Sequence, residues 1–235
     1  RDYYASRGLG DVYKRQRQKM VSILTKYSPY YEKDMEDYDT EGEEDECEQL
    51  MYALILSGLA MQMIGNSRPA SCAEHQVTHL WDMEVINGPL DALHGEKVSV
   101  AALLVLEEYK RIAAAITQGR CHAKPYENED EELLKETFGK KGLLEEIRKE
   151  NEPELLETIS PQHLEKCLNG IEEIIDELPS EQTMFHLLEK AGCAKTVYDI
   201  GLDESAVLPS LRLAPYTRRR LSLLRISKML DIRGE

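Results

Sequence analysis

Apolar residues recur along this chain at the spacing of helices. From about Glu96, EKVSVAALLVLEEYKRIAAAITQ sets Val98, Ala101, Ala102, Val105 and Leu106 on one stripe, the i, i+3, i+4, i+7 recurrence of an amphipathic helix. Its two alanines allow a neighbouring helix to approach closely, and GRCHAKP stops it. Similar patterns predict helices at about 130–138, 141–149, 161–177, 181–191, 203–212 and 216–230. Ser160 before Pro161 and Ser180 before EQTMFHLLEKAG supply start signals, and Gly192 supplies a stop. No stretch alternates with period two long enough to predict a strand, and there is no internal repeat.

Upstream the pattern changes twice. RQKMVSILTKY predicts a helix, whereas the carboxylate-rich segment from Tyr31 to Glu48 predicts a solvated loop, since like charges repel and apolar residues are few. The Asp-x-Asp-x-Asp-Gly order of a calcium loop is absent there. LMYALILSGLAMQMIG, Leu50 to Gly65, is apolar on nearly every side and predicts a central buried helix; it is shorter than the roughly 20 residues a membrane span needs and carries Gln62. After the GNSRPAS loop, Pro69 and Ser71 introduce a helix from about Cys72 to Val85, and INGPLDALHGEKV is a turn-rich connector. The expected fold class is all-α, with one helical domain over residues 17–235.

Composition narrows the function. The chain is 42% apolar but has only two Phe and one Trp, so aliphatic side chains must fill the interior. A net charge of −15, from 29 basic and 44 acidic residues, repels phosphate backbones and anionic lipid, arguing against nucleic acid and membrane partners. The five cysteines, at 47, 72, 121, 167 and 193, show no CxxC or compact disulfide spacing, which fits reduced thiols in the cytoplasm.

Chemistry concentrates in SRPASCAEHQVTHLWDM. On a helix His75 and His79, at i and i+4, share a face, and His94 enters just before the next helix. Neutral imidazole is the commonest metal ligand, yet ordinary capped or surface histidines give the same pattern. The His-Glu-x-x-His motif of zinc peptidases is absent, because position 76 is Gln and Glu74 precedes the first histidine. His122, His163 and His186 have no partner at ligand spacing and read as surface or capping residues; cysteines are small apolar residues more often than nucleophiles, and Cys72 alone lies near the proposed chemistry.

The stretch from Ile55 to Val100, with GNSRPAS-x-AEH and a downstream LHGEKV, resembles the signature region of bacterial sn-glycerol-1-phosphate dehydrogenases, of the iron-containing alcohol dehydrogenase and dehydroquinate synthase superfamily. LAPYTRRRLSLLRISKML resembles that family's last helix, and the likeness runs from about Gln49 onward, more loosely through 125–200. The resemblance implies the helical domain of a dehydroquinate synthase-like fold, holding a divalent metal, zinc or nickel. An N-terminal Rossmann-like domain would bind NAD(P), and the enzyme would interconvert sn-glycerol 1-phosphate and dihydroxyacetone phosphate in phospholipid metabolism. It implies His75 and His94 as metal ligands and His79 as a residue beside the metal or facing the substrate. Arg68 is a candidate for the phosphate of a small-molecule substrate or for a loop salt bridge; the cluster Arg218, Arg219 and Arg220 could meet a phosphate too, but three adjacent arginines on one helix point in different directions, so it reads as a solvated or acid-paired face.

Departures from the family matter. Cys72 and Gln76 stand where it usually has Gly and His; the first is expected to crowd a helix start, the second to remove a polar contact near the site. The family's third ligand is an Asp in an upstream Gly-x-Gly-Asp motif. GLGD at Gly8–Asp11 is close to it but runs into DVYKRQ, which resembles a translated transposon end from sequencing libraries, so residues 1–16 are expected to be a non-native leader. No Gly-rich dinucleotide loop and no βαβ pattern is present, so neither catalytic nor cofactor-binding residues are assigned. The expectation is a fragment of an NAD(P)-dependent enzyme, inactive alone, with self-association into a homo-oligomer left open. Alternatives are a glycerol dehydrogenase or dehydroquinate synthase relative, a zinc metallohydrolase using His75 and His79, and a non-catalytic acidic helical module.

Overall fold

The computed structural model describes residues 40–67 and 70–232, with the backbone alone at 40–50. The expected leader, the helix near RQKMVSILTKY and Arg68 lie outside the described residues. The chain divides into two units, Arg1–Ala70 and Ser71–Glu235.

In the first unit one helix, α1 (Thr40–Ile64), is described. It corrects two expectations. The acidic segment is helical from Thr40 onward; its carboxylates fall at the helix N-terminus, where the backbone dipole favours negative charge. The apolar helix is also not buried: Met51, Leu54, Ile55 and Met63 are 55–66% exposed, and Ala60 is the buried residue. Apolarity drives burial only where a covering surface exists.

The second unit is all-α apart from one minimal ribbon. Its helices are α2 (Ala73–Asp82), α3 (His94–Thr117), α4 (Glu131–Gly139), α5 (Leu144–Glu150), α6 (Pro161–Asp176), α7 (Glu181–Lys190), α8 (Val207–Leu213) and α9 (Leu223–Ile226). Ser160 and Ser180 cap α6 and α7 as expected, accepting from the backbone N–H of His163 and Thr183. Strand β1 (Cys121–Ala123) pairs antiparallel with β2 (Leu230–Ile232), Cys121 opposite Ile232. Three residues per strand are too few for an alternation to be seen, so the helix-stopping GRCHAKP hid a strand.

α3 is the spine. Its Val100, Ala101 and Val105 pack with Ala73, Val77 and Trp81 of α2 and with Val197, Ile200, Ala214 and Leu224. Farther along, Ile112, Ala115 and Ile116 pack on Leu164 and Leu168 of α6 and on Met229. A third cluster joins Leu80 to Phe138, Ile147, Leu213 and Tyr216. The expected stripe is therefore rotated slightly: Ala101, Val105 and Leu106 are buried, while Val98 and Ala102 are only half-buried. Trp81, 1% exposed, donates its indole N–H to Ser210 Oγ at 2.7 Å, fixing α2 against α8.

The expected helix over 216–230 is broken. A 3-10 turn, Ala214–Thr217, leads into Arg218 at φ −147°, ψ 135°, extended backbone, and α9 begins only after Ser222. The cause is tertiary. Gln76, buried on α2, donates Nε2 to the carbonyls of Arg218 at 3.2 Å and Pro215 at 3.5 Å and accepts from Ser222 Oγ at 2.7 Å. Carbonyls that would have closed the next helical turn are used by one side chain. Nearby, Asp130, 6% exposed, accepts from Tyr216 Oη (3.0 Å), Arg212 (2.6 Å) and the Lys228 ammonium. Burial alone would raise the Asp130 carboxyl, but the Lys228 and Arg212 cations outweigh it and hold it below its ordinary value. Among the described residues no helix is long and apolar enough to cross a membrane.

Candidate metal centre

α2 and the first residue of α3 bring three imidazoles together. His75 and His79 project from one face of α2, and the turn after α2 returns the chain so that His94 opens α3 beside them. Ring centroids lie 5.8 Å apart for His75 and His94, 5.7 Å for His79 and His94, and 6.4 Å for His75 and His79. α3 starts at His94, two residues earlier than expected, because Glu96 Oε2 accepts the Leu93 N–H at 2.7 Å and so caps the helix.

Two of the rings are held by carboxylates from α2. His75 Nδ1 lies 2.9 Å from Glu74 Oε1, which also accepts the Cys72 backbone N–H at 2.8 Å. His94 Nδ1 lies 3.0 Å from Asp82 Oδ2, whose Oδ1 accepts from the buried Lys97 Nζ at 2.8 Å. A carboxylate at Nδ1 favours the tautomer with its proton there, leaving Nε2 as a lone-pair donor. Asp82 would itself be raised by burial, but hydrogen bonds from Lys97 and His94 outweigh that and hold its carboxyl low. For His79, burial first and then the Arg218 cation lower the pKa against an opposing Asp82, which favours the neutral ring.

This donor set suits a borderline-soft divalent cation. Two imidazoles bound to one ion through nitrogens about 2.1 Å away place their centroids about 5–6 Å apart. The His75–His94 spacing of 5.8 Å and the His79–His94 spacing of 5.7 Å both meet that with a small adjustment. At 6.4 Å, His75 and His79 would need a nearly linear arrangement about the ion, unlike the tetrahedral preference of zinc. Among the described residues no group of three or more His, Cys, Asp or Glu side chains is arranged to hold a metal ion by itself. Beside them opens a cleft of about 250 Å³ lined by His79, Asp82, Met83, Thr217 and Arg218.

The two departures take defined places in the fold. Cys72 precedes α2 at φ −121°, outside the left-handed region, so a Cβ there needs no glycine. Its side chain reaches solvent, yet desolvation and then Glu74 push its thiol pKa up, the reverse of an activated thiolate. Gln76 supplies the clamp on the Arg218 segment. The remaining histidines sit at the surface beside acidic or thiol partners: His122 by Glu165, His163 by Cys167, and His186 by Glu189.

Sequence reasoning missed Asp82, which was detectable, since 75, 79 and 82 are i, i+4 and i+7 on one helix face. It weighed Arg218 only as one of three adjacent arginines and set it aside, because its place depends on a break in a segment read as continuous helix.

The sequence matches glycerol-1-phosphate dehydrogenases (NAD(P)+). That of Halalkalibacterium halodurans is 33% identical over 178 residues, Geobacillus stearothermophilus 30% over 174 and Geobacillus thermodenitrificans 29% over 174. Each match covers 74% of this chain and 36% of the relative, so the chain spans about a third of the length of the curated relatives it matches. No known protein-family profile and no solved structure matches the chain.

Proposed function

Homology to glycerol-1-phosphate dehydrogenases is the premise from which we propose that this chain forms the metal- and substrate-holding part of an NAD(P)-dependent, metal-dependent oxidoreductase, interconverting sn-glycerol 1-phosphate and dihydroxyacetone phosphate. The observation that carries the reading is the convergence of His75, His79 and His94 from two successive helices at 5.7–6.4 Å. Zinc or nickel supplies Lewis-acid polarisation of the substrate oxygen, and a nicotinamide gives or takes the hydride. His75 and His94 hold the metal, and Glu74 and Asp82 fix their rings. His79, neutral and at the cleft, is placed to hydrogen-bond a substrate hydroxyl and exchange its proton.

Since the chain has no Gly-rich dinucleotide loop, the chain alone is expected to be inactive. Its thiols fit the cytoplasm: Cys72, Cys121, Cys167 and Cys193 are free. Metal analysis of the purified chain tests the reading. Zinc or nickel should bind stoichiometrically, His75→Ala and His94→Ala should each abolish it, and His79→Ala should keep it. Loss in His75→Ala and His79→Ala but not in His94→Ala, with hydrolytic activity, would favour a metallohydrolase; no binding at all would leave the histidines structural.

A further inference from the structure

We propose that Arg218 is the phosphate-recognition residue of this cleft, and so selects phosphorylated over unphosphorylated polyols. The inference rests on the dehydrogenase reading above and adds the residue that sets its substrate class.

Three observations converge. First, Arg218 lines the cleft together with His79, Asp82, Met83 and Thr217. At about 250 Å³ the cleft falls below the ~300–1,000 Å³ of sites for larger ligands, a size suited to a three-carbon phosphate. Second, its guanidinium is unengaged among the described residues, in a chain with 44 acidic side chains. The neighbouring arginines are all committed: Arg219 Nε donates to the Pro153 carbonyl at 2.8 Å, Arg220 to the Ser71 carbonyl at 2.6 Å, Arg212 to Asp130 at 2.6 Å and Arg225 to Glu154 at 3.1 Å. A planar fork of donors left open beside a metal-ligand pair matches phosphate oxygens in a bidentate manner. Third, the position is built. The Arg218 carbonyl is held by Gln76 Nε2, and Thr217 Oγ1 donates to the Gln76 carbonyl at 3.3 Å, so the segment is tied directly to the helix bearing His75 and His79.

The surrounding charges permit an anion. Asp82, the acidic group lining the cleft, is paired with Lys97 and with His94. Arg68, the sequence candidate for this role, lies outside the described residues.

Calorimetric titration of the full chain, first with zinc and then with sn-glycerol 1-phosphate or glycerol, tests the inference. Wild type should bind the phosphorylated compound more tightly than glycerol. Arg218→Ala should weaken glycerol 1-phosphate by about tenfold to a hundredfold, leaving zinc and glycerol affinities unchanged, and Arg218→Lys should recover part of the loss. Inorganic phosphate should compete in wild type and not in Arg218→Ala. Unaltered glycerol 1-phosphate affinity in Arg218→Ala, with zinc still bound, would overturn the inference alone. Failure of the wild-type chain to bind zinc would instead overturn the dehydrogenase reading beneath it.

Discussion

Replacing Asp82 by Asn removes a charge and little else. The side chain keeps its shape and can still accept from His94 Nδ1, now 3.0 Å away, but it no longer balances Lys97 or raises the basicity of the ring. Stability should change modestly: Asp82 is 35% exposed, and an ion pair at such a position contributes about 1 kcal/mol or less. Metal affinity should change more. Carboxylates behind metal-bound imidazoles are worth about 10–100-fold in affinity, or about 1.4–2.7 kcal/mol. Asp82→Ala should sit at the severe end, since it also loses the hydrogen bond that orients His94. Zinc titration against a competing chelator, with thermal unfolding of the metal-free chain alongside, separates the two effects. Zinc affinity within twofold of wild type in both variants would refute the claim that Asp82 prepares His94 as a ligand.

Other consequences can be checked independently. Asp130→Asn leaves Lys228 and Arg212 facing a neutral group and should cost about 3 kcal/mol at pH 7, a fall of about 6–12 °C in Tm. Because the folded-state carboxyl titrates below its ordinary 3.8, its stabilisation is complete above that pH and disappears as pH falls through the depressed value; the gap between variant and wild type in denaturant titrations should therefore narrow in acid, and a constant gap would contradict the assignment. Gln76→Ala strands Ser222 and two carbonyls and should cost about 2 kcal/mol by chemical denaturation, while also weakening phosphate binding through the released Arg218 segment. Glutamates at Met51, Leu54 and Ile55 should lower light scattering at high concentration without shifting the unfolding of residues 71–235.

Much of this architecture was legible in the sequence because helical periodicity reports burial directly. α3, α6 and α7 fall close to where their apolar stripes and serine caps put them, and His75 and His79 meet because i, i+4 geometry is local. His94 is a longer step: its arrival beside α2 depends on the path of the connector, which the resemblance suggested and periodicity alone could not. Three features were hidden for physical reasons. The break at Arg218 comes from a hydrogen bond made across 142 residues of chain, which no local window contains. The β1–β2 ribbon is shorter than any alternation. The exposure of α1 depends on what surrounds an apolar segment, a property its composition does not encode.

Gln76 deserves a last thought as a spacer. Its backbone belongs to the helix carrying two imidazoles, and its amide grips the strip of chain carrying the guanidinium. The reach from one end of the cleft to the other is thus measured by a single side chain, like the jaw of a caliper. A homologue could lengthen or shorten the molecule it accepts by re-setting that jaw while every cation-holding residue stays in place.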